Sequence, residues 1–283
     1  MIWVQAARLR TLGASIVPIM VGASLGFKQT HVVHSSYVFF VILSALGIQI
    51  GTNYINDAAD FMRGADTKER LGPARISQRG LVAPHVVMWA GFLMFFCAAL
   101  FAIPLVLHRP WIILVGLGSI LAGYAYTAGP YPLAYLGLGE LFVVLFFGHI
   151  AVAGTAYVVA DAAFFNPYLH IVGFEIGLLA SLLIGINNVR DAETDRVAHK
   201  KTLAVRFGTT RMRQVMILSS VVPFMIHSFI MPSLWILPPL IASGALIRRL
   251  WKEEPSAKYN ELLMEAGMLQ LSAGVCMSLG FLQ

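Results

Sequence analysis

The sequence predicts an all-α membrane protein, a bundle of about nine transmembrane helices forming one domain over residues 1–283. Three observations carry that prediction: composition, the lengths of the apolar runs and the sidedness of charge. Hydrophobic residues make up 58% of the chain and charged residues 12%, against about 45–50% and 25% in soluble domains. A soluble globule of 283 residues could not cover its surface with so few charges. A disordered chain is excluded too, because low hydrophobicity and high charge are what keep a chain unfolded. The net charge of +6 would suggest nucleic acid in a soluble protein. Here it reads as topology, and no nucleic-acid partner is expected. Cys97 and Cys276 both sit in apolar runs and make no metal-ligand cluster.

A bilayer-crossing helix needs roughly 20 mostly apolar residues. The first such run is 12–28, preceded by Arg8 and Arg10 as the flank of a retained span, not of a cleaved leader. The second, 37–56, runs into a cluster of Asn and Asp. The third and fourth, 83–107 and 111–128, are joined by a short turn around Arg109. The fifth, 138–160, opens near Glu140, and the sixth, 169–190, ends in a second acidic cluster. Runs seven and eight, 214–231 and 233–250, meet at Met231-Pro232, and Pro238-Pro239 allows a division that leaves eight spans. The ninth is 263–282.

Under this division 18 of the 20 Lys and Arg fall on one side, with Lys28 and Arg109 the exceptions. The positive-inside rule makes the crowded side cytoplasmic, with the N-terminus on it. An error of one span would scramble the ratio, so the asymmetry also supports the division.

Seven of the fourteen acidic residues lie in two short segments at the cytoplasmic ends of runs two and six. The first holds Asn53, Asn56, Asp57, Asp60, Asp66 and Glu69, followed by Arg70-Leu-Gly-Pro-Ala-Arg75. The second holds Asn187, Asn188, Asp191, Glu193 and Asp195, followed by Lys200, Lys201 and Arg206. If the helices continue, Asn53, Asn56, Asp57 and Asp60 share one face, and Asn187, Asp191 and Asp195 share another. The segments superpose at an offset of 131 residues, pairing Asn56 with Asn187, Asp60 with Asp191, Arg70 with Lys201 and Arg75 with Arg206. An internal duplication would explain this.

Carboxylates facing one another at a membrane surface repel unless a cation is present. Mg²⁺ takes oxygen ligands and is usually held by a few carboxylates together with a substrate's phosphates. The Lys and Arg that follow would neutralise remaining phosphate oxygens. Such a site at the mouth of an apolar bundle fits a lipid diphosphate, with its head on the acids and its tail in the bilayer. As ordinary interfacial charges these clusters would be costly, because each carboxylate at the bilayer centre is unfavourable by roughly 2.5–3.5 kcal/mol.

These residues resemble the UbiA superfamily of intramembrane prenyltransferases, which carries an Asn-Asp-x-x-Asp motif after the second helix of a nine-helix bundle and an Asp-x-x-x-Asp motif after the sixth. Asn56-Asp57-Ala-Ala-Asp60 and Asp191-Ala-Glu-Thr-Asp195 match them. Many members have a further Asp where this chain has Gly64, so the third ligand of the first motif stays open, with Asp66 two residues on. The Arg70-to-Arg75 run and Lys201-Thr-Leu-Ala-Val-Arg206 are most similar to the members that prenylate 1,4-dihydroxy-2-naphthoate in menaquinone synthesis. A member using another aromatic acceptor, such as 4-hydroxybenzoate, is the alternative; an ion-coupled transporter, whose acids would sit at midplane, is a distant one.

The resemblance implies transfer of a polyprenyl group from its diphosphate to the naphthoate, with loss of pyrophosphate and CO₂, in a bacterial-type inner membrane. Asp57, Asp60, Asp191 and Asp195 would hold Mg²⁺, with Asn56 and Asn187 as neutral oxygen ligands. Asn53, Asp66, Arg70, Arg75, Lys201 and Arg206 would line the diphosphate. Tyr54, Tyr124 and Tyr126 either stabilise an allylic cation or simply pack. Arg8 and Arg10 contact substrate or are ordinary flanks, Glu140 is a site member or a surface acid, and Glu175 has no assignment. The eight histidines lack metal-ligand spacing and read as structural or interfacial.

Overall fold

Helices are the regular elements of residues 2–66 and 71–283, the part of the chain described by a computed structural model; the Arg10 side chain is not described either. The expectations for Arg70 and for the side chain of Arg10 therefore lie outside the described residues. A short helix α1 (Ile2–Ala7) leads into α2 (Leu9–Thr30), α3 (Ser35–Met62), α4 (Pro84–His108) and α5 (Ile112–Ala125). Then follow α6 (Gly139–Val159), α7 (Pro167–Arg190), two short helices α8 (Ala192–Val197) and α9 (Leu203–Phe207), and α10 (Thr209–Ile230), α11 (Leu237–Lys252) and α12 (Tyr259–Phe281).

Seven of these helices are long and apolar enough to cross a membrane, each on one of the expected runs. The fourth and eighth runs differ. Helix α5 has 14 residues and α11 has 16, about 21 and 24 Å at the α-helical rise against a hydrocarbon core of about 30 Å. The reasons are local. Pro130 and Pro132 turn the chain soon after α5. A 3₁₀ turn over Leu234–Ile236 uses up the start of the eighth run before Pro238 and Pro239 open α11.

Helix ends sort into two sets. At one end lie the starts of α2, α4, α6, α10 and α12 and both acidic segments. At the other, the Lys28 ammonium donates to the Phe281 carbonyl at 3.4 Å and the His34 N–H to the Val159 carbonyl at 2.8 Å. Helix α7 is the most enclosed of the long helices and packs on α2, α6, α10 and α12. Gly148, Gly173 and Gly177 let α6 and α7 touch: a Cβ on Gly148 would stand 2.3 Å from the Gly173 carbonyl. Gly148 lies in a π-helical stretch, Val144–Ile150, that widens α6 at this crossing. By contrast α4 exposes Trp89, Leu93, Phe96, Leu100, Ile103 and Leu107. Their seven-residue recurrence is one apolar stripe, which in this protein faces lipid.

Two polar groupings sit away from the acidic segments. Glu175, fully buried in α7, pairs with His227 of α10 at 3.0 Å. At the end opposite the acidic segments, Asp161 follows α6 in a left-handed turn with φ 56°. His34 and Arg109 bond its carboxyl and hold it down at about 2.

Candidate active site at the Asp-rich end

The first acidic segment is helical to Met62, and its shared face divides into two strips. Asn53 and Asp57 point to one side. The Asn53 amide donates to the Ala7 carbonyl at 2.9 Å, and Asp57 accepts the backbone N–H groups of Ile76 and Ser77 at 3.1 and 3.0 Å. Asn56 and Asp60, one turn apart, point to the other. Thr127 donates its hydroxyl to Asn56 Oδ1 at 2.6 Å, and Tyr135 donates to Asp60 Oδ1 at 3.0 Å. The expectation of a single four-residue face is corrected accordingly: positions three apart differ by some 60° in azimuth, enough for neighbours to separate them.

Beyond the end of α3 at Met62 and its cap Arg63 comes Gly64. With φ 72°, this residue takes the left-handed position that closes a Schellman turn, the Ala65 N–H bonding the Asp60 carbonyl and the Gly64 N–H that of Phe61. An Asp there would be strained, and in any case off the helix. The open third position thus has a backbone reason. Asp66 instead folds back, buried, onto Arg75 at 3.2 Å. Arg75 also meets Asp60 at 2.8 Å and donates to the Asn56 carbonyl. It is a buried clamp on the first motif. The three aspartates around it outweigh the cost of its burial and push its pKa up.

In the second segment the helical bonds continue through Asp191: its N–H reaches the Asn187 carbonyl at 3.0 Å, and the Asp195 N–H reaches Asp191 at 2.8 Å. Asn187, Asp191 and Asp195 therefore stay in register although α7 ends at Arg190. The same Schellman turn recurs, Lys200 N–H to the Asp195 carbonyl and His199 N–H to Arg196, with His199 at φ 56°. It equates Asp195 with Asp60, one turn beyond the pairing of the 131-residue offset.

That turn delivers Lys200. Its ammonium lies 3.8 Å from Asp60 and 3.9 Å from Asp195, so one cation joins the two motifs. It also sits 5.4 Å from the ring centre of Tyr135. Burial, and then the Asp60 charge, raise the Tyr135 pKa, keeping it a hydrogen-bond donor. Arg190 forks onto Asp191 at 2.8 and 2.6 Å and reaches Asn260 at 2.6 Å. The Asn187 amide donates to the Leu183 carbonyl at 2.9 Å. Next to it, buried Asn188 donates to Glu140 at 2.8 Å, so Glu140 belongs to the wall of the site and not to the surface.

Lys201 and Arg206 are exposed and serve the loops. Lys201 donates its N–H to the Tyr135 carbonyl, and Arg206 binds the carbonyls of Lys201 and Leu136 at 3.1 and 2.9 Å. Gly137, φ 70°, makes this contact possible, since a Cβ would stand 2.6 Å from the Lys201 carbonyl. Lys200, Tyr135, Arg190 and Asn188 lie at the candidate site without having been assigned individual roles from the motifs. Only the first, third and fourth carry a signal in sequence, by adjoining a motif residue.

Inward from the acids, α2, α3, α4, α5 and α6 line a partly open apolar cavity of about 210 Å³. Along α3 it extends from Thr52 to Val41, about 17 Å at 1.5 Å per residue. Tyr126 lines it together with Phe142, Phe146 and Phe147. Tyr54 turns away, its hydroxyl on the Trp3 carbonyl at 3.0 Å, and Tyr124 stacks on Phe92. Of the three tyrosines considered, Tyr126 alone borders the cavity.

A charged cluster with an apolar cavity lying inward of it is the arrangement to compare with known proteins, and residues 15–265 match the model of the UbiA prenyltransferase family. The chain belongs to that family. It is a prenyltransferase and an integral membrane protein. A 1,4-dihydroxy-2-naphthoate octaprenyltransferase of Haemophilus influenzae is 32% identical over 99% of this chain and 95% of its own. The enzyme of that name from Mycobacterium tuberculosis is 36% identical over 75% and 72%. The structure of a UbiA homologue from Archaeoglobus fulgidus bound to DMAPP and Mg²⁺ superposes with a TM-score of 0.68, covering 100% of this chain and 99% of that one at 16% identity.

Proposed function

We propose that this prenyltransferase joins a polyprenyl diphosphate to 1,4-dihydroxy-2-naphthoate, in a Mg²⁺-dependent reaction that releases pyrophosphate and CO₂ and gives demethylmenaquinol. One observation carries the reading: carboxylates of both motifs converge on the Lys200 ammonium group, near an apolar cavity whose lining includes Tyr126. The names and coverage of the relatives support the choice of acceptor. The positive-inside count supports an inner membrane with the N-terminus and the acidic end cytoplasmic.

The donor set fits a hard divalent ion. Asp60, Asp191 and Asp195, with Asn56 and Asn187 beside them, supply oxygen ligands, and the chain's own Lys200 already brings positive charge to that place. When bound, Mg²⁺ would supply Lewis acidity against the diphosphate. Asp57 has both oxygens on loop amides, so its part is to seat the loop that carries Arg75. Lys200 exchanges carboxylate for diphosphate oxygens and stabilises charge on the departing pyrophosphate. Tyr135 and Arg75 orient Asp60, and Arg190 orients Asp191.

As the allylic C–O bond breaks, the cavity walls exclude water from the cation and Tyr126 offers its ring face. The naphthoate carbon bearing the carboxylate forms the new C–C bond. Its bond to the carboxylate then breaks, returning the electron pair to the ring and releasing CO₂. Parallel incubations of purified protein with Mg²⁺ and a polyprenyl diphosphate, one with the naphthoate and one with 4-hydroxybenzoate, test this. Product from the naphthoate alone is expected. Product from the benzoate alone would transfer the enzyme to the other acceptor class, and none from either would overturn the reading.

A further inference from the structure

We propose that His34, His108 and Asp161 form a Zn²⁺ site at the end of the bundle opposite the acidic motifs. The three residues come from separate segments. His34 caps the start of α3, His108 is the last residue of α4, and Asp161 lies just beyond α6. Both imidazoles present Nε2 to the same carboxylate, His34 to Oδ2 at 3.0 Å and His108 to Oδ1 at 3.2 Å. One ligand atom from each of the three lies within 4.8 Å of the others. A tetrahedral ion with bonds of about 2.0–2.2 Å needs ligand atoms roughly 3.4 Å apart, so small movements suffice to close the set around an ion.

The donor chemistry selects the ion. Two imidazoles and one carboxylate suit Zn²⁺ and its neighbours among the transition metals, whereas Mg²⁺ prefers the all-oxygen acids at the other end. Three protein ligands leave a fourth position for water. The rings are already held in place: His108 stacks on Tyr37 at 4.4 Å, and His34 meets the same ring edge-on at 5.6 Å. All three side chains are partly exposed, which gives an ion a way in.

One neighbour opposes the metal. The Arg109 guanidinium bonds Asp161 Oδ1 at 2.5 Å. It also lies 5.2 Å from the ring centre of Tyr157, where it retains a cation–π seat once the oxygen passes to the ion. Arg109 is thus a built-in competitor, and its removal separates a metal site from a plain salt-bridge knot.

The test uses full-length protein without a polyhistidine tag, in excess Mg²⁺ to keep the acidic site filled, titrated with Zn²⁺ and separately with Co²⁺. Metal content after desalting, the visible spectrum of four-coordinate Co²⁺ and the Zn²⁺-induced rise in melting temperature are read. Wild type is expected to hold one Zn²⁺, while His34→Ala and His108→Ala lose it yet keep Mg²⁺-dependent prenyl transfer, which shows that they are folded. Arg109→Gln is expected to tighten Zn²⁺ about tenfold, the effect of removing one modest opposing interaction. Equal uptake by His108→Ala and wild type, no saturable uptake by wild type, or weaker uptake by Arg109→Gln would each overturn the assignment.

Discussion

Replacing Lys200 by Met removes the cation that, among the described residues, spans both motifs, while keeping most of the side chain's apolar length. The ammonium is 3.8 Å from Asp60 and 3.9 Å from Asp195, and only 14% of the side chain is exposed. A unit pair at this distance is worth about 4 kcal/mol at an effective dielectric constant of 20. Desolvation of the lysine and carboxylates cancels much of that, and the net worth of a charged contact is about 1.5–3 kcal/mol. In the free enzyme this is the barrier that Mg²⁺ must overcome to displace the lysine. Lys200→Met should therefore bind Mg²⁺ more tightly, by about tenfold or more. Turnover should move the other way. The departing pyrophosphate loses a cationic partner, so kcat/KM for the prenyl diphosphate should fall by at least about tenfold. Melting curves across a Mg²⁺ series, without substrate, measure the first effect, and initial rates at saturating Mg²⁺ measure the second. A Mg²⁺ midpoint that is unchanged or higher in Lys200→Met would refute the placement of the ion between the two motifs.

Further outcomes follow from the same geometry. Asp60→Ala and Asp191→Ala should abolish turnover while remaining monodisperse and cooperative in melting; retained activity in either would remove it from the metal set. Asp57→Ala strands two backbone N–H groups, at about 1–3 kcal/mol each. Faster proteolysis of the 71–80 loop and a lower melting temperature should show it, and Asp57→Asn, which keeps one acceptor, should recover part of the loss. Gly116→Trp fills the cavity from α5, where a Cβ would meet nothing within 4 Å. Long prenyl diphosphates should then lose at least about tenfold more kcat/KM than a geranyl donor, since only the longer tail must pass the obstruction. Rates with the two donors, compared with wild type, decide this.

The long spans were legible because length and hydropathy alone decide whether a helix can replace water by lipid. Composition reports that directly, and seven runs coincide with helices of sufficient length. Run four was read to residue 128 because hydropathy does not register the turn that Pro130 and Pro132 impose just beyond it, and at run eight the sequence marked Pro238-Pro239 as a break without deciding whether they end a helix or open one. The acidic segments were legible for the same kind of reason, since uncompensated carboxylates at a membrane face are rare enough to stand out.

Which cation serves which carboxylate was not legible, and Lys200 shows why. Sequence offset chose Lys201, one residue away, by matching it to Arg70. A left-handed residue at His199 closes α8 so that Lys200 is turned toward Asp60 while Lys201 is left to bond the Tyr135 loop. A single backbone angle, which costs a non-glycine residue about 1–2 kcal/mol, reverses the two roles. The opposite end repeats the lesson. His34, His108 and Asp161 are separated by 74 and 53 positions, so no spacing rule could join them; three helices ending at one level do. Partner choice in this bundle is made where helices stop, and sequence periodicity carries least information at those points.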